Sequence, residues 1–181
     1  MRGCKDCRLF FGNGILMPMR KQRIPVFGTR NNSLPQKTRS CAYAVIADEQ
    51  GCIAAVEEEH GRIYLPGGGV EFFETPGQAL HREVMEELGC KVRLITVIGQ
   101  SLHYLESEGQ CQATYATFYS AELGEKVSAD CEHQLKWVAV EDFFHASQSW
   151  AAQHYLVLQA AEQLSESANV WPTLECRTLP V

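Results

Sequence analysis

The sequence predicts an α/β protein in which helices cover both sides of a mixed β-sheet. Several short apolar segments, rich in β-branched and aromatic residues, are separated by turn residues in the way that is typical of strands. A helical apolar period with start and stop signals interrupts them at 76–88, and a second amphipathic helical pattern follows them at 150–164. Strands and helices mixed in this order favour a layered α/β domain.

Four strands are expected before the first helix. The strand candidate at 24–29 is weakly patterned, whereas those at 41–47 and 52–56 are distinct. The turn residues at 48–51 predict a hairpin-like connection between the latter two. A short apolar strand at 62–65 then leads into a run of glycines.

The second half of the chain supplies the remaining strands. Residues 92–98 and 103–105 predict one interrupted strand, 112–123 a long aromatic strand and 134–140 a last strand. A short helix is expected from Glu141, because acidic residues are favoured near the positive end of a helix.

The helix at 76–88 carries recognisable signals at both ends. Thr75 is a suitable N-cap, Pro76 suits the first helical position and Gln78 completes a capping box. Gly89 suits the left-handed conformation in which many helices end.

One side of this helix carries three carboxylates, and the neighbouring side is apolar. At about 100° per residue, the acidic residues fall within an arc of roughly 100°. The acidic residues are Glu83, Glu86 and Glu87, and the apolar ones are Leu80, Val84 and Leu88. Like charges at this spacing repel each other, and a hard divalent cation with oxygen ligands removes that penalty. A solvated acidic helix face is the alternative interpretation.

A glycine loop precedes the helix. Gly67, Gly68 and Gly69 follow the apolar strand at 62–65. Three successive residues without a Cβ allow the backbone to approach a ligand or a metal closely. An ordinary glycine-rich turn would have the same composition.

Together, the loop and the helix resemble the signature of the Nudix hydrolase family, Gly-x5-Glu-x7-Arg-Glu-(apolar)-x-Glu-Glu-x-Gly-(apolar). The signature runs from Gly68 through Glu74 and Arg82 to Gly89, and each of its fixed polar and glycine positions is present. The resemblance extends over roughly residues 40–147. It implies an α/β/α sandwich with a mixed β-sheet.

Two positions depart from the usual pattern. Phe73 precedes the first motif glutamate, where many members have Gly, and Cys90 closes the motif, where Ile, Leu or Val is commoner. Cys is a small hydrophobic residue, so the second departure is mild. Phe73 either alters the turn or reaches toward a substrate base. Phe72 and Phe73 are the aromatic residues best placed to stack on a base.

The resemblance also implies a role for each polar residue of the motif. The implied ligands of Mg²⁺ or Mn²⁺ are Glu83, Glu86, Glu87 and the backbone carbonyl of Gly67. By the same resemblance Arg82 orients a glutamate by ion pairing, and Glu74 supports the junction of loop and helix. From the residues themselves, the expected substrate contacts are Gly67, Gly68 and Gly69, with their bare backbone, and Phe73.

Two glutamates are candidates for the general base. Glu83 is the first choice, and Glu132, in the loop before the strand at 134–140, is the alternative. The other interpretation of Glu132 is a glutamate in a surface loop.

The implied reaction is attack of water on a phosphorus of a nucleoside diphosphate linked to a further group X. This agrees with the need to neutralise charge on phosphate oxygens. A nucleoside triphosphate, including an oxidised one, cleaved to a monophosphate and pyrophosphate is the expected substrate. ADP-ribose or a dinucleoside polyphosphate is the alternative. A non-catalytic nucleotide-sensing module is the alternative from another class, and the intact motif glutamates favour catalysis over it.

The chain has 181 residues and a net charge of −6, which favours one domain and argues against sequence-independent nucleic-acid binding. Residues 1–40 hold nine Lys and Arg against one acidic residue, a formal charge of +8. We expect a basic N-terminal extension at 1–38, a Nudix hydrolase domain at 39–165 and a C-terminal tail at 166–181.

The cysteines and the hydropathy of the chain indicate its cellular compartment. Cys4 and Cys7 lack the second pair of ligands that a zinc site needs, and single thiols suit a reducing cytosol. No apolar run is long enough to span a bilayer. We therefore expect a cytoplasmic protein, monomer or homodimer, with a small nucleotide as its partner and with neither nucleic acid nor membrane.

Overall fold

The structure, a computed structural model, describes residues 24–57, 61–146, 153 and 157. Its strands are β1 (Val26–Phe27), β2 (Gln36–Val45), β3 (Ile53–Glu57), β4 (Ile63–Tyr64), β5 (Gly67–Gly69), β6 (Cys90–Ser107), β7 (Gln110–Lys126) and β8 (Gln134–Val138). Its helices are α1 (Pro76–Leu88) and α2 (Val140–Ala146). Of the helix predicted at 150–164, only Gln153 and Val157 are described, and both are helical and buried.

The strands form two sheets. The larger sheet has the order β1-β6-β7-β2-β5, with β1 parallel to β6, β2 parallel to β7 and the remaining pairs antiparallel. The smaller sheet has the order β4-β3-β8 and is antiparallel. The predicted α/β class with a mixed sheet is therefore confirmed.

Strand β2 lies between two hydrophobic cores, because its side chains alternate between the faces of the larger sheet. On one face Cys41, Tyr43 and Val45 pack in a core with Phe143 of α2 and Val157. On the other face Ala42, Ala44 and Ile46 pack in a core with Leu80, Val84 and Leu88 of α1. The sheet is thus covered by helical residues on both sides, which is the α/β/α arrangement.

The turn predicted at 48–51 forms, but the strands that it joins diverge. The amide of Asp48 donates to the carbonyl of Cys52 at 2.9 Å, and Ala47 bridges Ile53. Beyond the bridge β2 pairs with β5 and β7, whereas β3 pairs with β4 and β8. The connection therefore passes from one sheet to the other and does not make an ordinary hairpin.

Strand β6 is continuous where the sequence predicts an interruption. Residues 99–102 pair with β7, and the register shifts lie nearer the start of the strand, between residues 90 and 99. A two-residue turn joins β6 to β7, with positive φ at Glu108 (52°) and Gly109 (73°), as right-handed strand twist requires. The predicted strand at 134–140 is also too long, since β8 ends at Val138 and α2 begins at Val140.

The predicted domain boundaries remain a prediction. Strand β1 and the first residues of β2 lie within the predicted extension at 1–38. Cys4, Cys7 and the predicted tail at 166–181 lie outside the described residues. Within the described part of the chain, no helix is long and apolar enough to cross a membrane.

Candidate active site at the glycine strand and the carboxylate helix

Both ends of α1 adopt the predicted caps. The hydroxyl of Thr75 accepts from the amide of Gln78, and the side chain of Gln78 accepts from the amide of Thr75 at 2.9 Å, which completes the capping box. Gly89 ends the helix with φ 65° and donates its N–H to the carbonyl of Met85 at 2.9 Å. These caps fix where the helix starts and stops, and so fix the direction in which its carboxylates point.

The three predicted glycines form an edge strand, β5, rather than an open loop. This strand pairs with β2 through Gly67 opposite Tyr43 and Gly69 opposite Cys41. Gly67 has φ 129°, and a Cβ at this position would lie 2.2 Å from the carbonyl oxygen of Ala42. A residue with a side chain would therefore force β5 away from β2.

The carboxylate helix α1 lies directly against this strand. The amide of Gly67 donates to Oε2 of Glu87 at 2.9 Å, and Glu87 is 8% exposed. A Cβ on Gly68 would lie 2.7–2.8 Å from the carboxylate atoms of Glu83. Two of the three predicted metal ligands are thus held against glycine backbone, which explains physically why β5 has no side chains.

Arg82 contacts three of the four motif glutamates, Glu74, Glu83 and Glu86. Its Nε and Nη2 donate to Oε1 and Oε2 of Glu74, each at 2.9 Å, and Nη1 lies 3.1 Å from carboxylate oxygens of Glu83 and Glu86. Nη2 also donates to the carbonyl of Gly69 at 2.9 Å. The Arg82 guanidinium therefore contacts the glycine strand, the loop before the helix and two carboxylates of the helix.

The electrostatics follow from these contacts. Hydrogen bonds from the Arg82 guanidinium, together with one from the backbone of Glu71, lower the pKa of Glu74 to about 2. The hydrogen bond to Glu74, with those to Glu83 and Glu86, in turn raises the pKa of Arg82 above its ordinary value. Both groups stay charged at neutral pH, so the clamp between them is permanent there.

Glu132 approaches α1 through its backbone. The amides of Glu132 and His133 donate to the carbonyls of Glu86 and Glu87, each at 3.0 Å. The Glu132 side chain is exposed. The loop thus satisfies carbonyls in the last turn of α1, which have no partners within the helix.

The two phenylalanines before the helix are fully in solvent. Phe72 is 87% exposed and Phe73 is 91% exposed, and their ring centroids are 4.1 Å apart. Phe73 has φ 74°, a left-handed conformation that a residue with a side chain rarely adopts. Phe73 therefore occupies the conformation that glycine adopts at no steric cost.

The carboxylates supply suitable chemistry for a divalent cation. Glu83, Glu86 and Glu87 all offer hard oxygen donors from one helix, as Mg²⁺ and Mn²⁺ prefer. In the described residues no three His, Cys, Asp or Glu side chains converge into a closed metal-ligand set. Glu83 and Glu86 form ion pairs with Arg82, and Glu87 accepts a hydrogen bond from the Gly67 amide. As carboxylates, all three have the chemistry that suits the implied cation.

The fold brings Arg39 to this site, although no sequence motif marks that residue. Arg39 lies on β2, and a Cβ on Gly69 would be 2.8 Å from its Nη2. The alternation of β2 could have placed Arg39 on the same face as Cys41. The pairing of β2 with the glycine strand could not be read from the sequence, because these strands are separated by 21 residues.

The fold and this site define a class: an α/β/α protein in which a glycine edge strand abuts a helix bearing three carboxylates and one clamping arginine. The comparisons with known proteins agree with this class. The model of the NUDIX domain matches residues 37–160. The chain therefore belongs to the Nudix hydrolase family, a family of pyrophosphohydrolases.

Sequence similarity to an individual curated relative covers only part of the chain. An RNA pyrophosphohydrolase from Acinetobacter baylyi is 36% identical over 62 residues, which are 34% of this chain and 37% of the relative. The matched segment thus spans little more than a third of that relative's length.

The fold matches many solved structures, two of which serve as examples. A NUDIX hydrolase from Nitrosomonas europaea is 22% identical with a TM-score of 0.55, over 76% of this chain and 94% of that chain. An Ap4A hydrolase from C. elegans is 19% identical with a TM-score of 0.55, over 70% of this chain and 98% of that chain.

Proposed function

We propose that this chain is a hydrolase that depends on a divalent metal and cleaves a pyrophosphate bond in a nucleoside diphosphate linked to a group X. The observation that carries the proposal is the contact of the carboxylate helix with the glycine strand, made by Glu87 to the Gly67 amide and by Glu83 against Gly68. This contact presents oxygen donors and bare backbone on one surface, as a bound metal–phosphate pair requires.

In this proposal Mg²⁺ or Mn²⁺ is held by Glu83, Glu86 and Glu87, with the Gly67 carbonyl as a further ligand. When bound, such a cation neutralises charge on phosphate oxygens and lowers the pKa of a bound water. Arg82 keeps the carboxylates in place through its contacts with Glu83 and Glu86.

Glu74 and Glu83 have separate roles. Glu74 is a positioning residue, because its carboxylate contacts Arg82 and closes the turn to the Glu71 amide at 3.0 Å. Glu83 is proposed as the general base that accepts the proton of the attacking water. Glu132 remains the alternative base, and its loop lies against α1.

We propose a nucleoside triphosphate, including an oxidised one, as the substrate, with a monophosphate and pyrophosphate as products. Because the relative from Acinetobacter baylyi is an RNA pyrophosphohydrolase, RNA with a 5′-triphosphate is a further compound to test. The decisive experiment incubates the protein with Mg²⁺ and a panel that contains nucleoside triphosphates, oxidised nucleoside triphosphates, ADP-ribose, dinucleoside polyphosphates and a 5′-triphosphorylated oligonucleotide. Separation of the products shows which phosphorus bond breaks.

A matched variant connects that activity to the site. Glu87→Gln keeps an oxygen that accepts from the Gly67 amide but loses the charge, so the fold should persist while most turnover disappears. Full turnover in Glu87→Gln would contradict the assigned site. Absence of turnover by the wild-type protein on every compound would favour the nucleotide-sensing alternative.

A further inference from the structure

A second arginine lies at the glycine strand, on the side that the motif does not use. The Arg39 side chain runs along β2 toward Gly69, where an added Cβ would lie 2.8 Å from Nη2 and 3.3 Å from Nε. Because successive positions of a β-strand face opposite sides of the sheet, Gly68 faces Glu83 and Gly69 faces Arg39. Adjacent glycines thus make room for a carboxylate and for a guanidinium.

Arg39 and Arg82 differ in how their donors are used. Arg82 donates to Glu74, to Glu86 and to the Gly69 carbonyl. Arg39 is exposed and makes neither a hydrogen bond from its side chain nor an ion pair with any residue in 24–57 or 61–146. Within the described part of the chain its donors are therefore unused and open to a ligand, whereas those of Arg82 are used by the motif carboxylates and the Gly69 carbonyl.

The two guanidinium groups approach the same residue. Arg82 donates to the backbone of Gly69, and Arg39 lies against the position where a side chain of Gly69 would be. Two like charges at one residue repel each other, and an anion between or beside them relieves that repulsion. Carboxylates already pair with Arg82, whereas among the described residues no carboxylate pairs with Arg39.

The surroundings of Arg39 connect it to the carboxylate helix. Burial raises the pKa of the Cys41 thiol, the charge of Arg39 lowers that pKa, and the charge of Glu83 raises it. The Cys41 thiol therefore lies within electrostatic range of both the Arg39 guanidinium and the Glu83 carboxylate. Across the sheet, Arg39 is in register with Thr114 of β7, and Thr114 is in register with His103 of β6, so a polar row continues away from the glycine strand.

We propose that the guanidinium of Arg39 binds a phosphate group of the substrate at the side of the glycine strand opposite the carboxylate helix. The inference rests on the proposed function, since it takes the ligand to be a nucleoside polyphosphate. Arg is suited to this role because its planar fork donates two parallel hydrogen bonds to phosphate oxygens. Gly69 contributes by having no side chain, because a Cβ at this position would overlap the Arg39 guanidinium.

The test combines binding and kinetics. Binding of α,β-methylene-ATP in the presence of Mg²⁺ is measured by calorimetry, and kcat and KM are measured on the best substrate of the panel. Arg39→Gln should raise Kd and KM about tenfold or more, with a smaller effect on kcat, because a charge-assisted contact to phosphate is lost. Arg39→Lys, which keeps the charge without the fork, should recover part of the affinity.

Two further variants make the test specific. Lys37→Gln removes the same charge from the same face of β2, two residues or about 7 Å farther from the glycine strand. It should leave Kd within about twofold, because an exposed charge that makes no direct hydrogen bond to the phosphate contributes little to binding. Gly69→Ala should reproduce the weaker binding, since its Cβ displaces the Arg39 guanidinium. The double variant Arg39→Gln/Gly69→Ala should then bind no more weakly than Arg39→Gln alone.

The outcomes separate this inference from the proposed function. Wild-type affinity in Arg39→Gln, or an equal loss in Lys37→Gln, would overturn the role of Arg39 while leaving hydrolysis intact. If the wild-type protein hydrolyses nothing but Arg39→Gln still weakens binding of the analogue, the proposed function fails and the phosphate contact stands. Should Arg39→Gln not fold, Arg39→Met, which keeps the apolar part of the side chain without its charge, takes its place in the same binding and kinetic measurements.

Discussion

The guanidinium of Arg82 holds the carboxylate of Glu74 through two parallel hydrogen bonds, Nε to Oε1 and Nη2 to Oε2, each 2.9 Å long. Glu74 lies in the loop before α1, and Arg82 lies two turns into that helix. Because Arg82 also donates to the Gly69 carbonyl, this pair joins strand, loop and helix around the candidate site. The pair is a positioning device, because Arg82 also lies 3.1 Å from Glu83 and Glu86, which are two of the three proposed metal ligands.

The Arg82–Glu74 pair should make stability depend on pH in the acid range. The folded pKa of Glu74, about 2, lies below its ordinary value of 4.5. A lowered folded pKa gives stability that is complete above the ordinary value and is lost as the pH falls through about 2. We expect Glu74→Gln to be less stable than wild type by a constant amount above pH 5, and the difference to shrink between pH 4.5 and 2.

Urea unfolding of both proteins at several pH values measures this difference. Glu71→Gln is the matched control, because Glu71 lies in the same loop and contacts Glu74 through its backbone. A wild-type advantage over Glu74→Gln that is equally large at pH 2.5 and pH 7 would contradict the linkage.

The two candidate bases should separate on mutation. Glu83→Gln should lower kcat by about 10²- to 10⁴-fold, the range for a general base, without unfolding the protein. Glu132→Gln should lower kcat by less than about tenfold. Its backbone bond to the Glu86 carbonyl is retained, and its side chain is exposed. The reverse order of effects in steady-state assays would assign the base to Glu132.

Gly68→Ala tests the contact between the glycine strand and Glu83. The added Cβ would lie 2.7 Å from the carboxylate and should displace it, with a loss in kcat of up to about 100-fold from misplacement. Gly69→Ala is the natural comparison, since its Cβ meets Arg39 and should act on KM instead. If both alanine variants change KM alone, the position of Glu83 does not control the chemical step.

The left-handed φ of Phe73 predicts an unusual gain from glycine. Phe73→Gly and Phe73→Ala both remove the ring contact with Phe72, but only glycine adopts φ 74° without steric cost. Phe73→Gly should therefore be more stable than Phe73→Ala by about 1 kcal/mol. Chemical denaturation of the two variants measures this, and equal stabilities would show that the turn relaxes to another conformation. If Phe73 also stacks on a substrate base, both variants should raise KM equally.

Metal binding should appear as thermal stabilisation. Mn²⁺ that binds only the folded protein should add about 2.7 kcal/mol at a concentration of 100 times its Kd. The double variant Glu86→Gln/Glu87→Gln replaces two of the proposed carboxylate ligands with neutral amides and should lose most of the shift in melting temperature. An equal shift in the wild-type protein and the double variant would place the metal elsewhere.

Much of the site was accessible from the sequence, because local physics decides it. At the start of the helix, the capping box joins Thr75 to Gln78, three residues later. At its end, the left-handed Gly89 donates to the carbonyl of Met85, four residues earlier. Because both caps are local, the sequence predicts the helix ends. The same helical period placed Glu83, Glu86 and Glu87 together. The Nudix resemblance rests on that local stretch, and the family match over residues 37–160 confirms it.

The tertiary structure decided what depends on pairing between distant segments. That the glycines form strand β5 and that Arg39 lies over Gly69 both follow from the register of β2 with β5. Likewise, the anchoring of Glu132 to the Glu86 carbonyl joins residues that lie 46 positions apart. Alternation along a strand specifies which side chains share a face, but which strands become neighbours depends on burying both sheet faces at once, and only the folded chain establishes that.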